Sequence, residues 1–374
     1  MKKKSKLSRI LRFYTRFFVM GLAVVLAVEI GVLVFADKSY LQDTGTVDVV
    51  KIPNGQFTRT SNCQAHLDSA AQDIKVSYDG DFLAYTANGK LTVMNMTNGK
   101  TYTIGMDDDM KLGYFKWVYD RDQLIIAEMS TGNYYYAKLY DLNAAAISTD
   151  SMPDEIRDTV NNHEEKIPMP TQNSYVSGID FSTSTVTTYL KITNGVGHSI
   201  LWKFDVPYHN EKYNISPYEI GNMQCLKNVS ALMYENTING KVCVAYHDAL
   251  TINGEQKFKL LGFDSDDDVY LARGDGETTN EILYGSIVTT SEDGATQIDC
   301  QPTDMKTLTL KFDVKVSNLH VSLDGTVYYD DTANSEFVNL KTNKKLSYNG
   351  VVKAVYDQGF ITVDGDTAHQ NNFS

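Results

Sequence analysis

The sequence predicts an all-β fold, a six- or seven-bladed β-propeller preceded by one transmembrane helix. Three observations carry that expectation. From about residue 70 onward, apolar and polar residues alternate with period two, and no sustained 3.6-residue stripe appears. Gly and Asn recur where a tight hairpin needs a positive φ, as at Asn88-Gly89, Asn98-Gly99, Asn194-Gly195 and Asn239-Gly240. A block of turn and strand also recurs at roughly the 40-residue scale of a four-stranded blade.

Taken in chain order, residues 1–16 form a basic tail that holds Lys2, Lys3, Lys4, Lys6, Arg9, Arg12 and Arg16 and no acid. Residues 17–36 (FFVMGLAVVLAVEIGVLVFA) are apolar except for Glu29. At about 1.5 Å per residue, such a helix matches the roughly 30 Å hydrocarbon core of a bilayer. Basic residues before the span and Asp37 and Asp43 after it predict a single pass with the amino terminus inside and the body on the extracytoplasmic side of the cell membrane. A cleavable signal ending at Val34-Phe35-Ala36 is the competing reading. Its apolar region would exceed the usual length of about 7–15 residues, so an uncleaved anchor is preferred. Glu29 costs about 2.5–3.5 kcal/mol inside a membrane, which marks it as a candidate contact with a partner helix. The plainer reading is a tolerated Glu, protonated or reaching for the outer face.

Residues 37–60 have linker composition, with one strand-like run at 46–52 that could close a ring of blades. Residues 61–374 then form the body. Its best-formed repeat is VSYDGDFLAYTANGKLTVMNMTNGKTYTI, 76–104, where Asp79-Gly80 leads into Phe82–Tyr85. Weaker echoes place Asp120 before Gln123–Glu128, Asp324-Gly325 before Thr326–Tyr329, and Asp264 before Val269–Ala272. Degenerate copies begin near 178, 227 and 355. Asp79, Gly80, Asp120, Asp324 and Gly325 are therefore expected to be a repeated turn signature, in which Asp accepts hydrogen bonds from its own turn. Asp180 is assigned to the same repeat place. The polar stretch 151–166 is the one helical candidate and reads better as an excursion from a β framework. Tandem β-sandwiches are the alternative architecture, because they too alternate strands with frequent turns.

At 77–85 and the following GKLTVMNMTNGK, the chain resembles bacterial extracytoplasmic propellers, namely those of the Tol system and of dipeptidyl-peptidase-IV-like proteins. The resemblance implies a bladed ring outside the cytoplasm. In the latter family the ring is joined to a hydrolase domain, but no GxSxG elbow occurs here, so that activity does not carry over.

Composition narrows the function classes. A net charge of −13 argues against a nucleic-acid partner, which needs a basic footprint. The 24 Tyr suit half-buried strands. Four scattered cysteines without a CxxC pair argue against a structural metal. Cys225 and Cys243 are a possible disulfide on neighbouring strands, weighed evenly against buried free thiols. His163-Glu164-Glu165 reads as a solvated loop, and the acidic run 264–268 lacks the Gly and distal Glu of a calcium loop. Tyr134-Tyr135-Tyr136 is a surface candidate. No catalytic, cofactor or metal residue is assigned. The function expected is a non-catalytic, membrane-anchored binding or scaffold module for an envelope protein, peptide or wall polymer. The alternative is a glycan-active enzyme with carboxylates at the channel.

Overall fold

Phe82–Ala87 and Lys90–Asn95 show how this sequence becomes sheet. Asn88 and Gly89 both adopt positive φ, +52° and +77°, so the two-residue turn matches the twist of the paired strands. Nearly every residue of the two strands is buried, on both faces. A sheet buried on both sides needs a neighbour on each side, and that requirement organises the molecule.

The computed structural model describes residues 63–374 apart from 133–134, 145–154, 157–159, 162–165, 206–208, 214–218, 291–295 and 374. The expected span 17–36 with Glu29, the strand candidate 46–52, the group 163–165 and Tyr134 lie outside the described residues. Among the described residues, no helix is long and apolar enough to cross a membrane.

Ser61–Ser374 is one unit, a seven-bladed β-propeller. The first strands of the seven sheets are Gln72–Val76, Met110–Trp117, Tyr175–Ser182, Ile220–Cys225, Phe258–Phe263, Leu319–Val321 and Val351–Tyr356. They lie beside one another around the axis, and the later strands of each sheet step outward by antiparallel pairing. In six of the seven blades the register breaks where the first strand pairs with the second. Bulges of this kind raise the local twist and turn the inner strand along the axis.

The core is divided among the spaces between sheets. Phe82, Leu91 and Val93 of blade one meet Phe115, Trp117 and Ile126 of blade two. Comparable apolar clusters fill the other six boundaries, from blades two and three round to blades seven and one. This radial packing replaces the face-to-face pair of sheets that a sandwich would show.

The ring closes at Gln64–His66, which pairs with Thr367–Asn372 as the outermost strand of blade seven. The closing strand thus lies in the first residues of the body. Leu67 N donates to Asp366 O at 2.8 Å, and Gln370 N to Cys63 O at 2.9 Å. The excursion 151–166 contributes short edge strands: Glu155–Ile156 runs parallel to Thr101–Ile104 of blade one, and Val160–Asn161 runs antiparallel to Tyr136–Asn143 of blade two.

Leu67 is buried in the cluster between blades seven and one. Leu67→Ala is therefore expected to cost about 2–5 kcal/mol in urea unfolding. A loss below roughly 0.5 kcal/mol, the level of an indifferent surface change, would show that closure does not depend on this packing.

Candidate functional site

The turn after each inner strand is where the recurring Asp-Gly block sits. Asp79 Oδ1 accepts from Ser77 Oγ at 2.9 Å and from Asp81 N at 3.0 Å. Asp324 Oδ1 accepts from Ser322 Oγ at 2.5 Å and from Thr326 N at 2.9 Å. Gly80 and Gly325 adopt φ of +82° and +76°. A Cβ on Gly80 would stand 2.5 Å from Gln370, and one on Gly325 2.6 Å from Tyr270 Oη, so both glycines also admit the neighbouring blade. Asp120 departs from the pattern: it pairs with Arg121 Nε at 2.8 Å.

These turns form a ring of contacts at one end of the channel. Ser182 Oγ donates to Lys227 O at 2.7 Å, between blades three and four. Asp267 accepts from Lys227 N and Asn228 N at 2.7 and 2.9 Å, between four and five. Ser265 N donates to Leu323 O at 2.8 Å, and Leu323 N to Asp357 Oδ1 at 2.9 Å, which carries the ring to blade seven. Gln370 Nε2 reaches Gly80 O at 3.4 Å and returns it to blade one. The acidic run 264–268 belongs to this ring: Asp264 Oδ1 accepts from Asp266 N and Asp268 N, each at 3.0 Å.

Asp180 does not occupy the turn position that the repeat assigned to it. It stands four residues earlier, inside the inner strand, with its side chain fully buried. Lys116 Nζ lies 2.9 Å from Asp180 Oδ2, and Tyr119 Oη donates to Asp180 Oδ1. The same inner-strand place holds Lys75 in blade one and Gln224 in blade four. Lys75 Nζ donates to Phe115 O at 2.5 Å, and Gln224 Nε2 to Leu261 O at 3.3 Å. Each joins its inner strand to the inner strand of the next blade. This polar layer was not singled out from the sequence, although its signal is there: every member stands two residues before the start of the turn.

The inner strands enclose a cavity of ≈ 450 Å³. Its wall includes Lys75, Lys116 and Lys353, the aromatic residues Tyr78, Trp117 and Tyr356, and His320 of blade six. Asp357 is the one carboxylate in that lining. Burial, then the charge of Lys116, lowers the Lys75 ammonium to about 8. Burial lowers His320 to about 4, so its imidazole is neutral near pH 7. Tyr119 of blade two crosses the axis, its ring 5.1 Å from Phe181 and 5.2 Å from Phe263 of blade five. Tyr135 packs against the blade two–three core, and Tyr136 turns outward to Asp109 at 3.3 Å.

Cys225 and Cys243 are free thiols. Their strands, Ile220–Cys225 and Lys241–Val244, flank Leu232–Asn236 and do not neighbour each other. Two strand spacings are about 9–10 Å, beyond the roughly 7 Å between Cα atoms that a disulfide bridges. Burial raises the Cys225 thiol well above its ordinary range.

Two outcomes follow from the charged contacts between blades. Removing one partner of a buried pair strands the other, so Lys116→Met is expected to cost about 3–5 kcal/mol, most of it recovered in Lys116→Met/Asp180→Leu. A double variant no more stable than the single one would contradict the pairing. Asp122, beside Asp79, is raised from 3.8 to about 7, chiefly by burial and then by the Asp79 charge. Folding therefore favours its protonated form. That contribution is complete below pH 3.8 and is lost as pH rises through about 7. Asp122→Asn should raise the melting temperature at pH 8 and flatten its decline between pH 5 and 8. An unchanged pH profile would contradict this origin.

No family model matches the sequence, and no curated protein matches it. Among solved structures, the chain is similar to the β-propeller domain of Myceliophteria thermophila Cps50 (Swd1), with a TM-score of 0.50 and 10% identity over 83% of this chain and 100% of that one. A chain of the mitotic checkpoint complex aligns with a TM-score of 0.46 and 12% identity over 83% and 93% of the two chains. Hsv2 of Kluyvelomyces marxianus aligns at 0.43 and 13% over 80% and 88%. At 10% identity, the first of these likenesses is one of fold alone.

Proposed function

We propose that this chain is a non-catalytic propeller, anchored in the cell membrane by residues 17–36, that holds an envelope protein or peptide on the extracytoplasmic side. The observation that carries the binding reading lies on blades three and four. Val196 and Ile238, at the tips of neighbouring hairpins, are 73% and 63% exposed, and Tyr175 is 48% exposed. Glu219 ties the two tips together: its carbonyl accepts from Thr237 N at 3.1 Å, and its carboxylate lies against Gly197. Apolar groups gathered on rigid hairpins suit a protein contact better than solvent. The basic tail and the resemblance of 77–85 to Tol-system blades support the membrane and envelope side of the proposal. Glu29 would then contact a partner helix.

The glycan-active alternative requires two carboxylates within about 5–10 Å across a reacting sugar. Asp357 stands alone in the cavity lining and accepts Leu323 N, while Asp79 and Asp324 are engaged in their own turns.

Affinity capture with the tagged, detergent-solubilised chain tests the reading. Val196→Asp/Ile238→Asp should lose a partner that the parent chain retains, with an unchanged melting temperature, and Glu29→Leu should lose a co-purifying membrane protein. Retention of the same partners by the hairpin variant would overturn the docking surface. Retention by Glu29→Leu would remove the intramembrane contact.

A further inference from the structure

We propose that the channel is a second binding site, for a small organic oxyanion, held by Lys75, Lys116 and Lys353. The three lysines come from the inner strands of blades one, two and seven, which are consecutive around the ring. They converge on one side of a cavity of ≈ 450 Å³, a size that suits a small molecule.

The charges of this cavity are poorly balanced within the protein. Asp180 is committed beneath Lys116 and accepts Phe181 N as well. Asp357 is committed to Leu323 N. Among the described residues, no carboxylate lies within ion-pair distance of Lys75 or Lys353. Lys75 instead rests over the Tyr114 ring at 3.7 Å and the Phe115 ring at 4.3 Å, with one N–H on Phe115 O. Lys75 and Lys116 are half-buried ammonium groups that repel each other, so an anion beside them gains twice, from direct attraction and from relief of that repulsion, and Lys353 adds an exposed ammonium to the same lining. The lowered basicity of Lys75 comes first from burial and then from the Lys116 charge.

The surroundings define the class further. Tyr78 is the half-buried aromatic residue of the lining and offers an apolar surface for the body of an organic molecule, while Trp117 and Tyr356 border the cavity from the cores between blades. The chain carries a net charge of −13, so its outer field repels polyanions, and a small anion is the species that reaches the lysines. This site is separate from the hairpin surface on blades three and four, and each can fail without the other.

The test is calorimetric titration of the detergent-solubilised full chain with malonate and with inorganic phosphate, against chloride at matched ionic strength. Saturable binding of malonate with phosphate silent assigns a carboxylate ligand, and the reverse assigns a phosphate monoester. Binding of both supports the shared oxyanion chemistry. Lys353 is exposed at the cavity and Lys353→Ala should leave the fold intact. Loss of one charge-assisted hydrogen bond should weaken binding about tenfold or more. Lys75→Met should weaken it further. Absence of saturable binding by either probe, or an affinity unchanged in Lys353→Ala, would overturn the site.

Discussion

Everything in this fold depends on one packing constraint: each sheet is apolar on both faces and must be covered on both. A flat stack of such sheets would always end in two bare faces. Bending the stack into a ring removes the ends, and the twist of each sheet supplies the bend. The seven apolar clusters are the direct expression of this, one per boundary. Stability is therefore spread round the circle, and each blade contributes half of two interfaces.

The ring creates its own difficulty along the axis. Every inner strand is a sheet edge, and its outward-facing carbonyls and amides have no further strand to pair with. Side chains from the preceding blade meet part of that need. Lys75, Asn222 and Gln224 reach Phe115 O, Leu260 O and Leu261 O, and Lys191 reaches Ile220 O and Gly221 O. At the blade two–three boundary, the acceptor is the Asp180 carboxylate. Polar residues in the channel are thus architectural first. Lys353, on an inner strand but outside this bonding scheme, is what distinguishes the blade seven side of the cavity.

Much of the architecture was legible because turns obey local rules. Gly80 and Gly325 take positive φ in equivalent turns, and Asn88-Gly89 does so in a hairpin, so such turns reported the blade repeat. The closing strand was harder to find: Gln64–His66 is three residues long, and its partner lies some three hundred residues away. The sequence left a Cys225–Cys243 disulfide and two free thiols equally open, because alternation does not tell which strand stands between two others. Asp180 was misplaced because a degenerate turn, Ser182-Thr183-Ser184-Thr185, offers no Asp-Gly to fix the register. The channel lysines were invisible as a group, since only the ring brings residues 75, 116 and 353 together.

Closure by Gln64–His66 has a kinetic side. The first strand of the body to leave the ribosome pairs with the last, 301 residues separating His66 from its hydrogen-bonded neighbour Thr367. Until that last strand arrives, blade seven has no outer partner and the faces of blades one and seven stand open. The folding clock is then set by the emergence of Thr367–Asn372, because a contact this distant cannot form early. A nascent ring of this kind exposes its seam for the whole interval, the period in which strand edges of separate chains find one another.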